Sequence, residues 1–361
     1  MGQARKTRAV SPAMKTTPPE DEADGPALAA GIARERTELS GRRDTLSAAK
    51  RELLEKRLRG LARGGAAAAA PGTAALPSSL VRLHAGSAGR PPFFCVHAIG
   101  GTVFSYAELA RRLGPEQTFY GIQSAGLEGA RPADDLETMA AAYAAAVELA
   151  EAREPYLLGG WSFGGVVAFE MARRLRARGR AVALVALLDS WAPLAHGATG
   201  AGEPAGSGAE RGEAETLLLF LRDQAALQGR SAEWLAAAGA QVAANRETTV
   251  GEILARARRS GVLQANVKPE QVERMLAIHR ANLRALAGYR PQPAADRLTL
   301  FRPEAAAGES RLHPQNGWES LTSAPVEVHA VAGDHYTLLA PPHVEALARH
   351  LAAAVERALR A

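Results

Sequence analysis

From Leu80 onward the chain alternates between short apolar runs and longer segments in which apolar residues return every three or four positions. The short runs are "LVRLH" from Leu80, "FFCVH" from Phe93, "TFYGIQ" from Thr118, "PYLLGG" from Pro155, "AVALVALLD" from Ala181, "RLTLFRP" from Arg297 and "VEVHAVAG" from Val326. Short apolar runs of this kind predict strands. Helical periodicity covers Ser105 to Leu113, Asp135 to Ala152, Val166 to Arg178 and His343 to Arg360. Alternation of strands with helices predicts one doubly wound α/β domain, a mostly parallel sheet with helices on both faces.

Two regions break the alternation. Between Asp189 and Arg297 a Gly/Ala/Pro loop, "HGATGAGEPAGSGAERG", leads into helical patterns such as "EAETLLLFLRDQAAL" and "PEQVERMLAIHRANLRALAGY". An insertion that long within a sheet is usually functional or disordered, and its apolar period predicts a helical lid over about 193–290. Ahead of Leu80, residues 1–44 mix Pro, Gly, Ala and both charge signs without periodicity, which predicts disorder. The stretch "GGAAAAAPGTAALPSS" at 64–79 reads as a flexible linker. Between them Leu46, Leu53, Leu54, Leu58 and Leu61 predict an amphipathic helix over 45–63 with nothing local to pack against. It is either a frayed solvated helix or a docking element. The chain thus divides into a flexible region at 1–79 and an α/β domain at 80–361.

Composition narrows the class. The 361 residues are 47% apolar and 22% charged, ordinary usage for a soluble globular protein. The net charge of +5 owes much to arginine runs such as "RRLRARGR" from Arg173 to Arg180. Such runs are usually solvated helix ends, and no recognition motif accompanies them, so no nucleic-acid partner is expected. A single cysteine, Cys95, excludes an internal disulfide and any multi-cysteine zinc site, and fits a reducing cytoplasm. The N-terminus lacks the apolar core of a signal peptide, and no run approaches the roughly 18 residues that span a bilayer. Neither a metal nor a bound cofactor is implied.

The stretch "GGWSFGGVVAFEMA" from Gly159 to Ala172 contains G-x-S-x-G, weak evidence alone in a chain with 35 glycines. Its context strengthens it. An apolar strand precedes Ser162 and a helical segment follows, the setting of a sharp strand-to-helix turn that exposes a nucleophile between two tiny residues, here Gly160 and Gly164. A serine hydroxyl needs a base, and a histidine and a carboxylate should follow in the order Ser, Asp, His. Of nine histidines, His84 and His97 precede the serine, His279 lies in a lid segment, His329 in a strand, and His343 and His350 in the last helix. His335, in "VAGDHYTLLAPP", follows the last strand in a loop and is the expected base. Asp189 ends the strand after the elbow helix, at the same sheet edge as Ser162, and is the expected acid. Glu304, at the end of the next strand, is the rival, and Asp334 is expected to face away. Two backbone N–H groups should bind the oxyanion. Phe163 supplies one, and Ala98 or Ile99 in "HAIGG" the other.

These residues and their surroundings resemble the thioesterase domains of nonribosomal peptide and polyketide synthases. The matching stretches are "PPFFCVHAIGGTVFSYAELARRLG", "FYGIQSAGLEG", "YLLGGWSFGGVVAFEMARRL", "LLDSWAP", "HRANLRALAGYRPQP", "LTLFRPE" and "GDHYTLL", running from about Leu80 to the C-terminus. The resemblance implies an α/β-hydrolase fold, Ser162 as nucleophile, His335 as base, Asp189 as the acid after the sixth strand, and a helical lid. It also implies an acyl or peptidyl thioester substrate, carried on the phosphopantetheine arm of a partner carrier protein and released as an acid or a ring. The "WSFG" elbow looks more like that of chain-releasing domains than the "HSMG" of stand-alone editing enzymes. No carrier domain is found in the chain, which suits a release enzyme acting in trans with the N-terminal helix as a docking piece. Rival expectations are an editing thioesterase that clears misprimed carriers, a carboxylesterase of the same fold, and a docking or binding module with an idle triad.

Overall fold

Each of the seven apolar runs forms a strand in the computed structural model: β1 (Leu80–His84), β2 (Phe93–Val96), β3 (Phe119–Ile122), β4 (Tyr156–Trp161), β5 (Val182–Leu188), β6 (Leu298–Pro303) and β7 (Glu327–Val331). The structure describes residues 76–360 apart from 88, 194–197, 200–202, 205–211, 231–232, 244–248, 265, 295–296 and 305–312. The expected disorder of 1–44 and the helix at 45–63 lie outside the described residues.

The strands pair in the order β1-β3-β2-β4-β5-β6-β7. Only β1 runs antiparallel, Leu80 pairing with Ile122 and Val81 with Gly121; the other pairings are parallel. Helices α1 (Ala107–Arg112), α2 (Leu136–Ala150), α3 (Phe163–Ala177) and α8 (His343–Arg360) return the chain between strands or close it. Side chains of a strand alternate between faces, so consecutive apolar residues feed two cores. Phe94, Leu158 and Leu187 pack with Tyr143 and Phe169 of α2 and α3. Phe93, Leu157 and Leu188 pack on the other face with Leu347 and Leu351 of α8. Each such side chain, fully buried, contributes about 1.5–3 kcal/mol. A strand buried on both faces reads as a continuous apolar run, which is why β4 shows no alternation.

Helix α3 starts at Phe163, three residues before the apolar period suggests. Gly164 and Gly165 are poor helix formers and hide its first turn from a propensity argument. The interval between β5 and β6 holds a short antiparallel pair, Ala198–Thr199 with Glu203–Pro204, and then helices where the apolar period predicts them: α4 (Glu213–Leu227), α5 (Glu233–Ala243), α6 (Val250–Arg259) and α7 (Pro269–Gly288). These helices share a core of their own that includes Leu217, Phe220, Leu221, Ile253 and Leu276. The insertion is tied back to α3 just after α7, where the Tyr289 hydroxyl donates to Glu170 Oε2 at 2.8 Å. Glu170 is fully buried, and burial opposes its charge, but hydrogen bonds from Arg173 and Tyr289 and the charges of Arg173 and Arg174 hold it below the usual carboxylate range.

Candidate active site

Strand β4 runs straight into Ser162, whose backbone sits at φ 56°, ψ −122° before α3 begins. A side-chain-bearing residue is rarely held there, and the strain is about 1–3 kcal/mol. The neighbours impose it. A Cβ on Gly160 would lie 2.1 Å from the Gly164 carbonyl carbon, and one on Gly164 would lie 2.3 Å from Val96 O and 2.7 Å from His97 O. Both contacts are with backbone, which cannot swing aside, so only glycine fits. The same crossing presses the start of α3 against the end of β2. The Ser162 N–H donates to Leu188 O at 2.9 Å, fastening the turn to β5.

Asp189 and His335, singled out 146 positions apart in the chain, are in direct contact. Asp189 follows β5 at φ 41°, its N–H donating to Phe301 O at 2.7 Å. His335 Nδ1 donates to Asp189 Oδ2 at 2.7 Å, both side chains largely buried. A carboxylate only accepts, so the proton of a neutral imidazole is on Nδ1 and the lone pair is on Nε2. The imidazole is held on two sides by rings, Trp161 and Tyr336, each with its centroid 5.0 Å away. Asp334 turns into its own loop. Its Oδ1 accepts from the Tyr336 N–H and from the N–H and hydroxyl of Thr337, all at 2.9 Å. Burial opposes its charge, yet these bonds hold it below the usual range. Glu304, at the end of β6, is exposed and gives its N–H to Val331 O.

The loop after β2, which holds Ala98 and Ile99, lies against the start of α3. Phe163 is the first residue of α3, so no helical carbonyl can take its N–H. Its ring stacks on His97 at 5.9 Å and 24°. His97 is fully buried, and burial lowers its pKa to about 4. Its Nδ1 donates to Ala98 O at 2.7 Å, which leaves Nε2 to accept from the Tyr143 hydroxyl at 2.8 Å. The Gly101 N–H also donates to Ala98 O, at 2.9 Å. The Ala98 carbonyl is therefore bound twice, and in a trans peptide the Ile99 N–H points the opposite way. The direction of the N–H of Ile99, one of the two residues suggested for the second donor, is thereby fixed.

Two partners escape sequence reasoning. One is His97, whose place before the serine in the chain does not fit the order Ser, Asp, His. The other is Asp223 of α4, whose Oδ1 accepts from the Tyr336 hydroxyl at 2.7 Å and so joins the insertion to the residue beside His335. Burial, and then the Asp223 charge, push the Tyr336 phenol well up. Nothing local marks either role. Cys95 is fully buried and its thiol pushed far up by that burial, as a strand residue should be. Among the described residues no group of three His, Cys, Asp or Glu is placed to hold a metal ion, and no helix is long and apolar enough to cross a membrane.

The model of the thioesterase domain family matches residues 91–355, most of the chain and all of the site just described. The chain belongs to that family. The thioesterase domain is 28% identical over 276 residues to a protein of Salinispora arenicola (strain CNS-205) named "Probable non-canonical nonribosomal peptide synthetase (NRPS) CymA", which covers 73% of this chain. It is 43% identical over 107 residues, 29% of this chain, to malpibaldin synthetase of Mortierella alpina. It spans only 3% and 2% of the length of those two relatives. A solved four-domain nonribosomal peptide synthetase, bound to AMP and glycine, superposes on 76% of this chain with a TM-score of 0.64 at 28% identity, using 20% of its own length. The seven-stranded, mostly parallel sheet with its helical insertion is the α/β-hydrolase fold of such thioesterase domains.

Proposed function

We propose that the protein releases an acyl or peptidyl chain from the phosphopantetheine thioester of a carrier protein through an acyl-Ser162 intermediate, in nonribosomal peptide or polyketide synthesis. The observation that carries this reading is the 2.7 Å bond from His335 Nδ1 to Asp189 at the sheet edge where the strained turn exposes Ser162. With Nδ1 protonated, Nε2 takes the Ser162 proton as Oγ attacks the thioester carbonyl. The N–H groups of Phe163 and Ile99 receive the oxyanion, each such donor being worth about 2.7–4 kcal/mol of barrier. Collapse expels the pantetheine thiolate, which takes up the proton held by His335. Water, or a nucleophile within the acyl chain, then repeats the sequence in reverse and frees Ser162. No step calls on a bound cofactor; the pantetheine arm belongs to the carrier.

The test is thiol release from an acyl-loaded carrier protein, measured beside hydrolysis of a simple ester with the same acyl group. Faster release from the carrier, abolished in Ser162→Ala, is the expected result. Equal rates on both substrates would overturn the carrier assignment in favour of a general esterase.

A further inference from the structure

The Ile99 carbonyl is held from the helical insertion. Asn282 of α7 is fully buried, and its Nδ2 donates to Ile99 O at 2.7 Å, across 183 residues of chain. The carbonyl only accepts, so the orientation of the amide follows from its partner. On the other side of that amide Oδ1 is buried and has no hydrogen-bond partner among the described residues. A half-satisfied buried amide weakens a core; a leucine of similar size would remove the unpartnered Oδ1 but would also take away the donor to Ile99 O. What asparagine supplies here that an apolar residue would not is the hold on the Ile99 carbonyl. One turn earlier Ile278 lies so close to the same loop that a Cβ on Gly101, at φ +79°, would come 2.6 Å from its Cγ2. Helix α7 is thus pressed onto the loop at Gly101 and bonded to it at Ile99.

Peptide planarity turns this contact into chemistry. Each trans peptide points its N–H opposite its C=O. Ala98 O is tied back by His97 and Gly101, and Ile99 O is tied back by Asn282. The N–H groups of Ile99 and Gly100 are aimed by those bonds. We propose that Asn282 is a positioning residue of the reaction: by holding the Ile99–Gly100 peptide it fixes the residue whose own N–H, on the preceding peptide, is presented to the tetrahedral intermediate. The donor set then depends on where α7 sits. This rests on the thioesterase reading above. An interaction made through the oxyanion loop acts in the transition state, so its loss should appear in kcat and leave KM in place.

The experiment compares the full chain with Asn282→Leu and Asn282→Ala on an acyl N-acetylcysteamine thioester, with Leu276→Ala as a variant that loosens the insertion without touching the loop. Three readouts are taken: kcat with KM, the affinity for an alkyl boronic acid that forms a tetrahedral anion on Ser162, and Tm. Expected for both Asn282 variants is a fall in kcat of about tenfold or more with KM within about twofold. Boronate affinity should fall by a similar factor, while the Tm of Asn282→Leu stays within about 4 °C of that of the natural chain, the lost donor to Ile99 O being offset by removal of the unpartnered Oδ1. Unchanged kcat and boronate affinity in Asn282→Leu would overturn the proposal. So would losses that Leu276→Ala reproduces in proportion to its lower Tm. A natural chain that does not turn over the thioester at all would instead remove the thioesterase reading, and the proposal with it.

Discussion

Replacing Asp189 by asparagine tests the acid with little disturbance to the fold. The residue sits at φ 41°, in the left-handed region that asparagine tolerates best, and its N–H bond to Phe301 O does not involve the side chain. The carboxamide matches the carboxylate in size, so Tm should move by only a few degrees. The chemistry changes sharply. The 2.7 Å contact with His335 Nδ1 now offers an amide N–H as well as a carbonyl oxygen. If the N–H faces the ring, Nδ1 must accept, the ring proton moves to Nε2, and no lone pair remains for the serine proton. A wrong-tautomer base costs about 10³- to 10⁴-fold in kcat, or about 4–5.5 kcal/mol of barrier. The assay is steady-state hydrolysis of an acyl N-acetylcysteamine thioester, with Glu304→Gln measured alongside. Glu304 is exposed at the end of β6, and its variant should stay within about twofold of the natural chain. An Asp189→Asn protein that keeps more than about a tenth of the activity, or a large loss in Glu304→Gln, would refute the assignment.

The other predictions concern the surroundings of the site. Tyr336→Phe deletes the hydroxyl that donates to Asp223, which should cost about 1 kcal/mol and lower Tm by about 2–4 °C. The ring still flanks His335, so kcat should fall only a few-fold in steady-state kinetics; a loss beyond about 100-fold would mean that the hydroxyl takes part in the reaction. His97 is buried neutral, its pKa lowered from 6.5 to about 4, whereas the unfolded chain binds that proton below about pH 6.5. Its contribution to stability is therefore intact above pH 6.5 and is lost as pH falls from 6.5 towards 4, by about 3 kcal/mol at most. Thermal melts between pH 7 and 4.5 should show this decline, and His97→Gln should show a shallower one; equal slopes would count against a neutral buried His97.

What could be read from the sequence follows from the range of the forces involved. Strands such as "YLLGG" and "VALVALL" are apolar throughout because both faces are buried, and the central runs declare themselves for that reason; the edge strands β1 and β7 are partly exposed and show only as short runs that alternate with polar residues. The elbow was legible because its steric demands fall on Gly160 and Gly164, two positions either side of Ser162. Asp189 and His335 were singled out by position alone, one at the end of a strand beside the elbow and the other in a loop beyond the last strand. The start of α3 was obscured by Gly164 and Gly165, whose small size serves the crossing with β2 and not the helix. The contacts of Asn282 with Ile99 and of Asp223 with Tyr336 had no local trace. They join residues 183 and 113 positions apart, and an asparagine or aspartate on a helix reads in sequence as a solvated polar residue. Order along the chain excludes His97 as a base and says nothing of a supporting role.

The most direct measurement is the intact mass of the protein, quenched early after mixing with a panel of acyl and aminoacyl N-acetylcysteamine thioesters and with acyl-loaded carrier protein, beside Ser162→Ala. The account predicts a transient added acyl mass that maps to Ser162 in the natural chain and is absent from the variant. Turnover that persists in Ser162→Ala, or an acyl group carried on any other residue, would contradict it.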